Sequence, residues 1–538
     1  MDSSGESIVT CIALTPIFLS LILHRLIYEF VGLSFLSVAA LLVEFTVSNG
    51  DNLKIFNPRA DTSAGILMGA VCVPSVLVGH VVRQKRMTYA WMDSNDLEDF
   101  RSEFWSALVS SVSLLVYIVV TMSYRKLFIP NKGDNKIWTV LFVLIPSLAI
   151  LLIMKLPKVA FLVFVSTWLL NYIVKVFPCC TSLGEAVLVS NGLALYSSYA
   201  VARMFDKIAA AGPPISQETT VSGILQGILI GLLCIPWMYK LFGVGFTWLL
   251  GFYGFHQTKV AAKLCNAVSF YLAMCLAFVI ITAGWLHFVQ GLDKFLLTWV
   301  VEFVLQDMQR LYLCGYWVCV ISMSVLPFYM VKSTKFEQIM VRKVFHLMVV
   351  VMFVPALLAQ QAFLHLAFSA ALAVFVVVEM IRILRIPPAG EAVHKFMTAF
   401  TDTRDSDLLI ISHFSLLLGC ALPLWLSGSS THDRPLAPFA GVLSLGIGDT
   451  MASVAGYNFG SIRLTPSSKK TVEGTIAGIV SLLLACIIIN CMLLQFSLTM
   501  TEWTSLFLAV ICTSLVEAYT TQLDNFILPL IFYALLLV

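Results

Sequence analysis

Apolar positions dominate this chain in long unbroken runs, and polar positions gather in the short gaps between them. Runs of this kind cover 7–27, 30–47, 64–82, 104–123, 138–154, 158–177, 184–202, 221–240, 243–255, 265–286, 311–331, 344–360, 362–381, 407–427, 436–456, 474–495, 503–517 and 525–538. A helix crosses a bilayer with roughly 20 residues, and some of these runs are short or closely paired, so the pattern predicts about 15 crossings. The gaps at 48–63, 86–103, 124–137 and 203–220 hold most of the polar residues of the first half. Ala211-Gly-Pro-Pro214 reads as a connector, and no internal repeat is visible.

Composition sharpens this pattern into a class. Hydrophobic residues make up 59% of the 538 positions and charged residues 12%, against about 45–50% and about 25% in soluble domains. The expected fold is an all-α polytopic membrane protein, a helical bundle with short loops and no soluble domain. Chemistry is therefore confined to loops and helix ends. A net charge of +3 gives no footprint for nucleic acid. The thirteen cysteines lie mostly inside apolar runs and contain no CxxC, which fits small apolar residues better than a disulfide framework or zinc site. Met1–Glu6 is polar without basic residues and reads as the lead-in to a first span.

The charges that remain are unevenly placed. Twelve Lys or Arg lie between Lys332 and Lys470, and tracing the spans puts all but Arg434 on one face, which the positive-inside rule makes cytoplasmic. From Gly474 onward there is no Lys or Arg, and only Glu502, Glu517 and Asp524 are charged. This contrast divides the chain into a multi-span region 1–331 of unassigned role and a region 332–538 with the candidate chemistry.

Five clusters stand out in that second region. The first is Gly446-Ile-Gly448-Asp449, followed by Gly456, Gly460, Arg463 and Ser468-Lys469-Lys470-Thr471-Val-Glu473-Gly474-Thr475. Backbone N–H groups at a helix start favour phosphate, and lysines add point charges. The glycines also suit plain small-residue helix packing. The second is Asp449 itself, a carboxylate inside an apolar run. It is either paired with a Lys or Arg of a neighbouring helix or a Mg²⁺ ligand.

Glu517 and Asp524 form the third cluster. Seven apart, they would share one helical face. With no local base, they need a metal or a basic group from loops 332–343, 382–406 or 457–473, unless they are simply solvated. The fourth is Asp402-Thr-Arg404-Asp405-Ser-Asp407, with His413 beyond it. It reads as helix capping, a metal site, or a base for a hydroxyl. The fifth is Arg342-Lys343-Val-Phe-His346, a positive-inside anchor or a partner of the acidic groups, with Glu379 near a basic loop. Cations and carboxylates together on one face of an apolar bundle are the inventory for phosphoryl or nucleotidyl transfer to a lipid. No Walker A or protein-kinase motif is present.

Arg342-Lys343-x-x-His346, Asp402-x-Arg404-Asp405, Leu443-Ser-Leu-Gly446-Ile-Gly448-Asp449-Thr-x-Ala-Ser453, Lys469-Lys470-Thr471-x-Glu473-Gly474-Thr475 and Glu517-Ala-Tyr-Thr-Thr-Gln-x-Asp524-Asn525 resemble the dolichol kinase family, densely over 332–538. Phytol kinases resemble this region more loosely. Phosphatidate cytidylyltransferases share the Gly-Asp and Lys-Lys-Thr-x-Glu-Gly pattern but not the ending Leu-Asp524-Asn525.

The resemblance implies an endoplasmic-reticulum enzyme that uses CTP and a divalent metal, Mg²⁺ or Ca²⁺, to phosphorylate dolichol. Dolichyl phosphate then serves N-glycosylation, mannosylation and GPI-anchor synthesis. The family's CTP segment falls at about Phe459–Gly474, taking in Gly460, Arg463, Ser468, Lys469, Lys470, Thr471, Glu473 and Gly474. On this reading Lys469, Lys470 and Arg463 hold the CTP phosphates. Asp449, with Glu517 or Asp524, holds the metal, and Asp405 or His413 orients the dolichol hydroxyl. A lipid cytidylyltransferase and a membrane transporter are the competing readings.

Overall fold

The structure is a computed structural model that describes residues 3–60, 62–88, 94–128, 136–154, 156–209, 217–252, 259–292, 294–330, 338–398, 408–428, 434–465, 470–495 and 497–538. The described residues are helical and contain no named strand; one isolated antiparallel bridge pairs Arg463 with Thr471. Among the described residues eleven helices are long and apolar enough to cross a membrane, by length and composition, and shorter apolar helices such as Lys343–Ala359 and Asp524–Leu537 accompany them.

In chain order the α-helices are α1 (Ser3–Leu23), α2 (Ile27–Ser48), α3 (Ile66–Thr88), α4 (Ser94–Phe128), α5 (Lys136–Ala149), α6 (Pro157–Val176), α7 (Leu183–Ala209), α8 (Gln217–Phe252), α9 (Lys259–Leu276), α10 (Ala283–Gln290), α11 (Leu296–Leu305), α12 (Met308–Met330), α13 (Gln338–Ala359), α14 (Gln361–Leu384), α15 (Gly390–Thr398), α16 (Ile411–Ser427), α17 (Ala440–Leu443), α18 (Thr450–Phe459), α19 (Val472–Ile487), α20 (Met500–Tyr519) and α21 (Asp524–Leu537). The run 221–255 forms a single helix, α8, as far as Phe252.

The chain forms two compact units. The first contains Met1–Ala202, Phe336–Val351 and Leu422–Val538; the second contains Arg203–Lys335 and Met352–Ala421. The boundary expected at 331/332 falls in 331–337, outside the described residues.

In the first unit α3 is the most enclosed of the eleven spans, with α1, α2, α4 and α21 packed on it. Its apolar side chains, Ile66, Ala70, Val78 and Val81 among them, are fully buried. The α21 helix is only 14 residues long, and Ile527, Leu528, Phe532, Tyr533 and Leu535 are buried along it. It therefore reads as a core helix, because a 14-residue helix is about 21 Å long. Between α17 and α18 the helix widens into a π-turn, Ser444–Asp449, which ends on the acidic residue. Such a turn inserts a residue into the helical repeat and often marks a functional position.

In the second unit α8 packs on α9 and α14, and α14 on α15. An aromatic cluster closes another part of it: Trp317 stacks on Phe363 at 5.3 Å, and Phe353 meets Phe368 edge-on at 4.8 Å.

Candidate active site

The first unit gathers five of the charged residues singled out in the sequence. Lys343 lies in the first turns of α13, and its ammonium sits 2.6 Å from Asp449 Oδ2. Both are withdrawn from solvent, with 14% and 3% of their side chains exposed. Asp449 is thus ion-paired with a lysine of a neighbouring helix. One turn along α13, His346 Nε2 lies 3.7 Å from the same carboxylate oxygen and 3.1 Å from Asn525 Oδ1. Asn525 opens α21, so His346 touches both the π-turn and the last helix.

Lys470 is the second cation. Its ammonium is 2.9 Å from Glu517 Oε1 and also donates to the Glu517 backbone carbonyl. Burial by itself lowers this lysine's pKa, but the carboxylates of Glu517, Asp524 and Asp449 outweigh it, and the group titrates above its ordinary 10.5. Three carboxylates from the π-turn, α20 and α21 therefore lie within electrostatic reach of one ammonium. A group from the 457–473 loop answers Glu517.

Glu517 and Asp524 do not share a helix face. The α20 helix stops at Tyr519, Thr520 caps it in an extended conformation, and α21 begins at Asp524. The two carboxylates sit on opposite sides of the turn 520–523. Asp524 Oδ1 accepts from the Asn525 N–H at 3.0 Å and so belongs to the α21 N-terminus.

The loop before α19 is built by its own residues. Thr471 is the N-cap, its hydroxyl accepting from the Gly474 N–H at 3.3 Å. Glu473, in the first helical turn, reaches back and accepts the N–H groups of Ser461 and Ile462, both at 3.0 Å. Leu464 N–H donates to the Lys470 carbonyl at 3.1 Å, and Val472 N–H to the Ile462 carbonyl at 2.9 Å. The two described arms of the loop thus pair antiparallel, and the Glu473 carboxylate holds the outgoing one.

Glycine is required behind the loop. A Cβ on Gly474 would stand 2.6 Å from the Ala452 carbonyl oxygen, so α18 and α19 touch backbone to backbone there. Gly460 lies against Gly456 and Thr471, and the Arg463 side chain is exposed.

Several sequence candidates lie elsewhere. Asp402, Arg404, Asp405, Ser468 and Lys469 are outside the described residues, as are the side chains of Arg342 and His413. Glu379 pairs in a bidentate fashion with Arg382 on its own helix, at 2.7 and 2.8 Å, in the second unit. Among the described residues no group of three or more His, Cys, Asp or Glu forms a site able to hold a metal alone. Sequence reasoning passed over Asn525 as a functional contact; its place next to Asp524 was the available signal.

Comparison with known proteins bears directly on this centre. The dolichol kinase family profile matches residues 138–497, about two thirds of the chain. The chain belongs to the dolichol kinase family.

The family match takes in Lys343, His346, Asp449, Lys470 and Glu473, while Glu517 and Asp524 lie beyond it. Dolichol kinase EVAN of Arabidopsis thaliana is 39% identical, with 99% of this chain and 98% of that protein aligned. Dolichol kinase of Homo sapiens is 30% identical over 90% of this chain and 87% of its own length. Dolichol kinase sec59 of Schizosaccharomyces pombe is 41% identical over 36% of this chain and 38% of its own. No solved structure matches the chain.

Proposed function

We propose that this dolichol kinase family member transfers the γ-phosphoryl group of CTP to the hydroxyl of dolichol, at the centre formed by Lys343, Asp449, Lys470, Glu517 and Asp524. The observation that carries the reading is Lys470, an ammonium set among three carboxylates at the end of a folded loop. Phosphoryl transfer needs little covalent chemistry from the protein. It needs cations placed on the phosphate oxygens and an oriented hydroxyl.

Lys470, with Lys469 and Arg463, binds the phosphate chain. Its present partner, Glu517, holds the ammonium in place until the nucleotide arrives. Glu473, Thr471, Gly460 and Gly474 shape the loop that presents those cations. Lys343 is the ion-pair partner of the buried Asp449, and His346 fixes α13 against Asn525. Asp405 or His413 orients the lipid hydroxyl.

Carboxylate oxygens predominate among the donors available to a divalent metal, which suits Mg²⁺ or Ca²⁺. A hard ion held by one or two carboxylates and the nucleotide phosphates needs no closed protein cage. Asp449, with Glu517 or Asp524, would supply those carboxylates, and the ion would neutralise charge on the transferring phosphoryl group.

With the shorter apolar helices counted, about 15 crossings remain our reading of the span number. The basic loops face the cytoplasm, the membrane is that of the endoplasmic reticulum, and the product feeds N-glycosylation, mannosylation and GPI-anchor synthesis.

The test is incubation of purified protein with γ-labelled CTP and a polyprenol. Label on the lipid is the expected result. Label in pyrophosphate would make the protein a cytidylyltransferase, and label in neither would favour a transporter.

A further inference from the structure

The turn Thr520–Leu523 joins Glu517 to Asp524, yet beyond the turn and its flanking helices its hydrogen-bond partners come from the first 185 residues of the chain. Glu6, in the first turns of α1, accepts from the Thr520 hydroxyl at 3.1 Å, the Thr521 hydroxyl at 3.2 Å and the Ser63 hydroxyl. Ser63 gives its N–H to Thr521 Oγ1 at 3.1 Å, and its hydroxyl accepts from Gln522 Nε2 at 2.8 Å. Ser182 donates to Gln522 Oε1. Glu185 Oε1 takes the Leu523 backbone N–H at 2.7 Å and Arg59 Nη2 at 2.8 Å, while its Oε2 takes the Ser182 N–H at 2.9 Å. Glu6, Arg59, Glu185 and Gln522 are all buried, with 1–5% of their surface exposed.

Two buried carboxylates would be a costly way to secure an ordinary turn, since burying a charge is unfavourable unless it is paired and hydrogen-bonded. A turn of four residues without glycine or proline is fixed only weakly by its own residues, here by the Gln522 N–H donating to Thr520 Oγ1. Its outline here is set by Glu6 on one side and Glu185–Arg59 on the other. The distance and bearing between Glu517 and Asp524 follow from that outline; Glu517 is ion-paired with Lys470, and Asp524 lies within electrostatic reach of it.

We infer that Glu185 with Arg59, and Glu6 with Ser63, are positioning residues of the phosphoryl-transfer centre: they hold the 520–523 turn so that Glu517 and Asp524 converge on Lys470. The inference rests on the proposed function and gives the N-terminal helices a role in it. They form the template for the acidic half of the site.

The test measures kcat and both KM values per folded molecule in the full-length protein, using CTP and a polyprenol. Glu185→Ala removes the acceptor of the Leu523 N–H, and kcat should fall by up to about 10²-fold, the size of loss that a 1 Å misplacement brings. KM for the polyprenol should stay at its wild-type value. Glu185→Gln, which restores an acceptor oxygen, should recover part of kcat. Thr521→Val removes one hydroxyl at constant volume and keeps the test readable if Glu185→Ala does not fold; it should lower kcat in the same sense.

Asn191→Ala is the control. On the same α7 helix as Glu185, it deletes a buried 2.7 Å hydrogen bond to Ser111 of α4, and it should lower thermal stability while leaving kcat unchanged. Wild-type kcat in Thr521→Val and Glu185→Ala, or an equal fall in Asn191→Ala, would overturn the inference. Lys470→Ala in the same assay separates the two levels. Loss of activity there with full kcat in the turn variants rejects the positioning role alone, and retained activity rejects the centre itself.

Discussion

Removing the Lys470 ammonium should do two separable things. In Lys470→Met the aliphatic stem is roughly preserved and the charge is lost. At 2.9 Å from Glu517, and with an effective dielectric of about 20, the direct attraction is about 6 kcal/mol before desolvation is set against it. Asp449 and Asp524 add weaker attraction at longer range. The Lys470 side chain retains 28% exposure, so much of this is returned by solvation. A net loss of about 1–3 kcal/mol of stability is expected, below the roughly 3–5 kcal/mol typical of breaking a fully buried pair.

The catalytic loss should be larger. Deleting one preorganised group that stabilises transition-state charge costs about 10²–10³ in kcat. Thermal unfolding in detergent and γ-labelled phosphoryl transfer measure the two effects on one preparation. The cycle Lys470→Met, Glu517→Gln and the double variant isolates the pair itself. Zero coupling in that cycle would refute the ion pair. Wild-type kcat in Lys470→Met would refute its part in catalysis.

Other perturbations have equally definite outcomes. Asp449→Asn leaves Lys343 buried without its counter-charge and should cost about 3–5 kcal/mol, read as a fall in melting temperature; an unchanged melting temperature would exclude the pair. Gly474→Ala drives a methyl group to 2.6 Å from the Ala452 carbonyl and should cost about 1–3 kcal/mol, as overpacking does, with the α18–α19 contact opening. Glu473→Ala frees the Ser461 and Ile462 N–H groups and should raise KM for the nucleotide more than it lowers kcat, as steady-state kinetics will show. Because the Lys470 pKa is raised on folding, its stabilising contribution is complete below the ordinary 10.5 and is lost as pH climbs beyond it. Melting temperature should therefore drop on the alkaline side of 10.5, and this component should be absent in Lys470→Met.

The charged participants were visible in the sequence because an apolar chain makes them expensive. Asp449 stood out within its run, Lys470 as a phosphate-type cation before a helix start, and Glu517 as a carboxylate with no local base. What tied them together was not visible. The turn at 520–523 carries no glycine or proline, so Glu517 and Asp524 read as one helix face, whereas Thr520 ends α20. The π-turn before α18 has no sequence signature either, since it is a packing outcome. Glu6 read as a polar lead-in because its partners Thr520 and Thr521 are more than five hundred residues away. No local pattern reports a contact of that range.

That separation bears on how the protein is made. Glu6 and Glu185 enter the membrane region with the early helices, but Thr520, Gln522 and the Leu523 N–H are made more than three hundred residues later. Until then Glu6 lacks its Thr520 and Thr521 donors and Glu185 lacks the Leu523 N–H. The turn and α21 therefore close the first unit as well as fill its core. A chain cut before Thr520 would leave Glu6 without its C-terminal partners and α3 without α21, and cellular quality control would meet it as an unfinished membrane protein rather than as a slow enzyme.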